Sequence, residues 1–217
     1  MLKVFVASTD IADISGEIAL SGYWKRKIEA THHTGMKRER IAASTLLSYA
    51  LKRCFGLDEC ELEYAEGDYG KPYVASHQGV HFNISHTDGY CAVAVSDAHV
   101  GVDIQRIEPE LNAGKKAIIR RFFSEHEREF YGMSEETPSL FYRLWTAKES
   151  IVKCTGEGIS HGIHRFAIPV FSEKCRCDDM FLTAFDTDEY AMTVCSFNDE
   201  NPICERVYAS DILRGEE

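Results

Sequence analysis

"VHFNISHTDGYCAVAVSDAHVGVDI", residues 80–104, is the stretch from which the fold is read. Asp88-Gly89 is a strong hairpin signal set between two runs of β-type residues. "SDAH" at 96–99 is a second turn, so the stretch predicts an antiparallel meander over about 80–104. At its end, in "GVDIQRIEP" (101–109), Asp103 interrupts an apolar run that otherwise seeks a core. The position two residues on is the amide Gln105.

Outward from this stretch the pattern is one of helices alternating with strands. Residues 2–7 alternate as a first strand. "RERIAASTLLSYALKRC" (38–54) puts Ile41, Thr45, Leu46, Tyr49 and Ala50 at helical spacing. "EGDYGKPY" (66–73) is a Gly/Pro loop. Downstream, 113–131 has helical character, with Ser124 as an N-cap and Glu127 at the capping-box position. "SLFYRLWTAKESIVKC" (139–154) is the clearest helix, its stripe made of Leu140, Phe141, Leu144, Trp145, Ile151 and Val152, stopped by Gly156 and Gly158. Short β-like runs follow around 164–170, 180–185 and 190–197. "GYCAVAVSD" (89–97) and "EYAMTVCSF" (189–197) are alike, both aromatic-led apolar strands. With a helix ahead of sheet in each half, this predicts an α+β fold of two similar lobes, 1–105 and 106–217, each an antiparallel sheet packed on a long helix.

The bulk properties narrow the function classes. The chain has 217 residues, 44% hydrophobic and 27% charged, as in an ordinary globular protein of one large or two small domains. No apolar run approaches the roughly 20 residues needed to span a bilayer. "MLKVFVASTD" lacks the apolar region of a signal peptide, so a cytoplasmic protein with no membrane partner is expected. The eight cysteines are then expected to be reduced; none forms a CxxC pair, and "CRC" (175–177) is too tight for a usual zinc pair. A net charge of −11 argues against nucleic-acid binding. Residues 25–53 nevertheless carry +6, leaving −17 for the remainder. That basic island is either a solvated helix face with a loop or the seat of a local anionic ligand, such as a phosphorylated small molecule.

Two carboxylates carry the chemistry. Taken singly, Asp103 is a turn or edge residue and Glu149 half of an i,i+4 ion pair with Lys153. Taken together they are hard oxygen ligands suited to Mg²⁺ shared with phosphate oxygens and water. Lys148 and Lys153 are neighbouring cations, and Ser85 and His86 precede a tight turn. This combination describes phosphoryl-type chemistry.

"YGKPY" (69–73), "FNISHT" (82–87), "GVDI" (101–104), "RFFSEHE" (121–127) and "WTAKESIVKCTGEGI" (145–159) occur in that order. In these motifs the chain resembles the 4′-phosphopantetheinyl transferases of the longer, surfactin-synthetase-activating type, strongly over about 66–160 and more loosely over 20–55. The resemblance implies a monomeric pseudodimer of two α+β halves. It implies transfer of the phosphopantetheine arm of coenzyme A to a serine of an acyl or peptidyl carrier protein, with release of adenosine 3′,5′-bisphosphate. It further implies that Asp103 and Glu149 hold Mg²⁺, that Glu149 is the general base, and that Lys153 contacts the pyrophosphate. Ser85 and His86 would grip phosphates of the nucleotide end, Lys71 and Pro72 would line the adenine pocket, and Lys25, Lys27 and Thr45 would meet the 3′-phosphate. Lys148 belongs to the motif in a more structural role, Trp145 is a core anchor, and "RFFSEHE" is a packed helix start. Where the family pattern often carries a third acid, this chain has Gln105: an amide oxygen can ligate Mg²⁺ but brings no charge, and water can equally fill the site. Gln105 is expected behind the metal rather than on it. Two rivals are a Mg²⁺-dependent nucleotide phosphotransferase or pyrophosphohydrolase, and a carrier-protein or coenzyme A binding module without chemistry. The chain has no Walker-type or kinase-type loop, which counts against the first; intact Glu149 and Lys153 count against the second.

Overall fold

The apolar strands and helices assemble one topology twice. The first unit runs through β1 (Leu2–Ser8), α1 (Gly22–Glu29), α2 (Thr34–Phe55), a small hairpin of β2 (Tyr64–Glu66) and β3 (Pro72–Val74), and the hairpin β4 (His81–Thr87) and β5 (Tyr90–Ser96). The second runs through β6 (Val100–Arg106), α3 (Ala113–Phe122), α4 (Glu125–Met133), α5 (Pro138–Thr155), β7 (Lys174–Cys177), β8 (Met180–Ala184) and β9 (Tyr190–Ser196). Then β10 (Ile203–Arg206) and α6 (Ala209–Arg214) follow. The computed structural model describes residues 1–134, 137–158, 162–169 and 173–215.

Both sheets are built on three antiparallel strands in equivalent order, β1-β5-β4 and β6-β9-β8. The similar segments noticed in the sequence are the middle strands β5 and β9. The extra strands differ: β10 adds parallel to β1, and β7 adds beside β8. The sequence places the strand holding Asp103 at the end of a meander and of the first lobe. Its hydrogen bonds place it elsewhere, since β6 pairs with β9 and opens the second sheet. The 97–99 turn is therefore a crossover between sheets. Phe166 and Ile168 of the apolar run near 164–170 are buried without strand structure, and residue 170 lies outside the described residues.

Each sheet is covered on its outer face by the helix whose spacing announced it. Leu46, Leu47, Ala50 and Leu51 of α2 pack with Phe5, Val93 and Val95. Phe141, Leu144 and Ile151 of α5 pack with Leu182, Ala191 and Cys195. A third cluster joins the sheets to one another, with Val4, Val6, Ala92 and Ala94 meeting Val102, Ile104, Met192 and Val194. Burial on both faces is why β1, β5 and β9 are nearly continuous in apolar residues.

The edge strands β4 and β6 run side by side without a backbone ladder. Asn83, Ser85 and Thr87, on one face of β4, accept from the backbone N–H groups of Val102 (2.9 Å), Ile104 (3.2 Å) and Arg106 (3.1 Å). Three small polar residues at period two thus satisfy three donors of β6 that its own sheet leaves open. On the other side of β6 the chain leaves no room: a Cβ on Gly101 would lie 2.0 Å from the Ser150 carbonyl oxygen of α5.

Candidate active site

The β6–α5 crossing brings the two carboxylates together. Asp103 projects from β6 toward α5 and is 1% exposed. Its Oδ1 accepts from Lys153 Nζ at 2.6 Å and from Ser85 Oγ at 2.8 Å, and its Oδ2 from Gln105 Nε2 at 3.1 Å. Lys153 Nζ also donates to Ser85 Oγ at 3.0 Å. Glu149 lies one turn before Lys153 on the same helix and has no hydrogen-bond partner among the described residues. Burial pushes its carboxyl up to about 7; the Asp103 charge adds to the rise and Lys153 opposes it. Two neighbouring buried carboxylates, with one lysine bonded to Asp103, make a site that favours further positive charge.

Beside these groups lies a cleft of about 300 Å³ between the units. Glu149 and Lys153 line it together with Lys27, Arg40, Lys71, Pro72 and His86, and Tyr23 and Trp24 form an aromatic wall. Tyr23 stacks on Tyr64, with centroids 5.2 Å apart. The cleft is thus lined by one carboxylate, several cations and aromatic rings. A second cavity of about 670 Å³ continues beyond Lys71 and Pro72.

The residues singled out from the sequence divide into those the fold brings to the cleft and those it does not. Glu149, Lys153, His86, Lys27, Lys71 and Pro72 line it, and Asp103 lies behind them, bonded to Lys153. Ser85 does not face the cleft. Its hydroxyl donates to Asp103 and receives Ile104 N–H and Lys153, so it steers the aspartate and holds β4 to β6. Lys71 contributes its chain rather than its charge, because Nζ donates to the carbonyls of Val100 and Cys154, both at 3.1 Å, and burial pushes its pKa down. Thr45 is 0% exposed, inside the α2 face that covers the first sheet, and touches no cleft. Lys25 is exposed and does not line the cleft, whereas Lys27 does. Residues two apart on a helix point to opposite sides, so only one of the pair could face a ligand.

Arg40 and Glu39 escaped the sequence assignment. Arg40 lines the wall, its Nη1 tied to the Lys27 carbonyl (2.8 Å) and Thr31 Oγ1 (2.6 Å). It lies in the basic island, which was its only signal. Glu39, beside it on α2, meets His86 Nδ1 at 2.8 Å. Burial pushes the His86 imidazole down, against the upward pull of Glu39. Lys148 is likewise settled by its contacts. It is 1% exposed and bonded to Glu127 (3.0 Å) and to the Phe166 carbonyl, away from the cleft.

Residues 99–195, which carry β6, α5 and β9, match the model of the 4′-phosphopantetheinyl transferase superfamily. The chain is 29% identical over 195 residues to a 4′-phosphopantetheinyl transferase of Bacillus subtilis, covering 82% of each. It is 24% identical over 188 residues to 4′-phosphopantetheinyl transferase Sfp of Bacillus subtilis strain 168, again covering 82% of each. Against 4′-phosphopantetheinyl transferase psf-1 of Bacillus pumilus it is 33% identical over 131 residues, 59% of this chain and 54% of that one.

Proposed function

This chain belongs to the 4′-phosphopantetheinyl transferase superfamily, and on that premise we propose a mechanism for its site. The protein is an enzyme that transfers phosphopantetheine from coenzyme A to carrier proteins. One observation supports the mechanism above others: Glu149 and Lys153 line one cleft with Lys27, Arg40 and His86, and Lys153 is bonded to buried Asp103. We place the coenzyme A pyrophosphate against Glu149 and Lys153 and the nucleotide phosphates against Lys27, Arg40 and His86.

The donor set suits Mg²⁺. Asp103 and Glu149 supply two hard oxygens whose mutual repulsion a cation would relieve, and Mg²⁺ readily takes its other ligands from phosphate and water. When bound, Mg²⁺ would withdraw charge from the pyrophosphate oxygens. Gln105 holds Oδ2 of Asp103 through its amide nitrogen, which supports a role in aiming the ligand rather than being one.

Glu149, a carboxylate lining the cleft, takes the proton of the carrier serine directly or through a water. The serine oxygen then bonds to the phosphorus bearing pantetheine, and the bond from that phosphorus to the bridging oxygen breaks. Lys153 stabilises the charge on the departing adenosine 3′,5′-bisphosphate. The site is complete within one chain, which supports action as a monomer. All described cysteines are free thiols, in keeping with a cytoplasmic setting.

The test is to incubate the protein with coenzyme A, Mg²⁺ and an apo carrier protein, and to weigh the carrier by mass spectrometry. A gain of one phosphopantetheine group is expected. Nucleotide release with an unmodified carrier would mean hydrolysis instead, and no change with a panel of carriers would mean a binding module.

A further inference from the structure

Against His86, a residue of the cleft, stands a charge of the wrong sign for an anion site. Glu39 of α2 places Oε2 at 2.8 Å from His86 Nδ1, and the two side chains are only 23% and 30% exposed. Four cations line the same cleft, and each has another partner; Lys71 donates to the Val100 and Cys154 carbonyls. Arg40 of α2 donates to the Lys27 carbonyl and Thr31, Lys27 of α1 pairs with Glu66, and Lys153 of α5 pairs with Asp103. A carboxylate this close to His86 opposes the approach of a polyanion. What it holds is the imidazole.

We propose that Glu39 is a positioning residue for His86: it accepts the Nδ1–H, leaves Nε2 as the ring nitrogen offered to the ligand, and balances the charge of the imidazolium that meets a phosphate. The inference rests on the cleft being the coenzyme A site. With Nδ1–H committed to Glu39, a neutral ring presents only a lone pair at Nε2, which repels phosphate oxygens. A protonated ring presents a charged donor. Burial pushes this ring toward the neutral form, Lys153 and Arg40 push the same way, and Glu39 alone pulls toward the charged one. The proton therefore arrives with the ligand, and Glu39 makes its arrival easier.

The experiment is calorimetric titration with coenzyme A near pH 7 in buffers of different ionisation enthalpy, alongside KM and kcat with an apo carrier. Wild type is expected to take up protons on binding. Glu39→Gln keeps a hydrogen-bond acceptor but not the charge. It should lose most of that uptake and raise KM for coenzyme A about tenfold, with kcat changed less than about threefold. His86→Ala should lose the uptake as well, and adding Glu39→Gln to it should cost nothing further. Wild-type uptake and KM in Glu39→Gln, a fully additive double variant, or a lowered melting temperature with normal KM would each overturn the proposal. If wild type itself neither binds coenzyme A nor modifies a carrier, the coenzyme A reading fails and this inference falls with it. Normal wild-type turnover with an indifferent Glu39→Gln sinks the inference alone.

Discussion

Glu149 sits where an ionised carboxylate destabilises the fold, beside the charge of Asp103 and out of water. Its carboxyl titrates near 4.5 in an unfolded chain and near 7 in the folded one. Between those values the folded state holds the extra proton, so stability falls as pH rises through that window and stays lower above it. In a chelator, Glu149→Gln is therefore expected to melt higher than wild type at alkaline pH, by up to about 3 kcal/mol. The gain should vanish toward pH 4.5, and turnover should drop about a hundredfold or more. Equal melting of the two proteins across the range would refute this account of the site. Gln105 provides the second residue-scale expectation. Gln105→Ala should leave the Mg²⁺ dependence of the rate unchanged, while Asp103→Ala abolishes turnover; a large loss of metal affinity in Gln105→Ala would make the amide a direct ligand. Asp103 and Glu149 were legible in the sequence because a carboxylate in a core strand and another beside a helical stripe need a reason. Glu39 was not, since an acid within a basic helix looks like surface charge until His86 is seen against it.

At the scale of elements, the site depends on how closely β6 approaches α5. Only glycine fits at position 101, where any Cβ would meet backbone of α5 at 2.0 to 2.9 Å. Gly101→Ala should force the strand and helix apart, costing more than about 3 kcal/mol and lowering turnover through the displaced Asp103. Chemical denaturation and kinetics of the same sample would check both effects. Behind α5, Lys148 and Glu127 form a buried pair, with Glu127 also accepting from the N–H groups of Ser124 and Ile168, both at 2.6 Å. Lys148→Met strands that carboxylate and should cost about 3–5 kcal/mol, with a smaller loss when Glu127→Gln is added. The sequence identified the Ser124–Glu127 capping box, which is a local pattern. The lysine was beyond it, because the pair joins residues 21 apart on two helices. Similarly, "FNISHT" advertises its alternation, but the partner of Asn83, Ser85 and Thr87 is set by sheet packing and not by any nearby residue.

For the molecule as a whole, the repeat was visible in β5 and β9 because both are middle strands and carry nearly unbroken apolar runs. The exchange of edges was not visible: β6 follows β5 closely in sequence yet hydrogen-bonds to β9, and β10 returns from the far end to pair with β1. Short edge strands have weak patterns, and their partners are decided by which sheet has an open side. This exchange has an energetic consequence. The third apolar cluster takes side chains from both sheets, β4 and β6 share hydrogen bonds, and Lys71 ties β6 to the end of α5. Neither unit keeps a covered inner face without the other, so the two should unfold together. The chain carries its own reporters, since its two tryptophans lie one in each helical layer, Trp24 in the first core and Trp145 in the second. Trp145→Phe leaves emission from the first unit and Trp24→Phe from the second. In urea, each variant's fluorescence transition should coincide with its own far-UV circular dichroism transition. A fluorescence midpoint displaced from the dichroism midpoint in either variant would mean that one unit melts first, and the site between the units would then be lost before the fold.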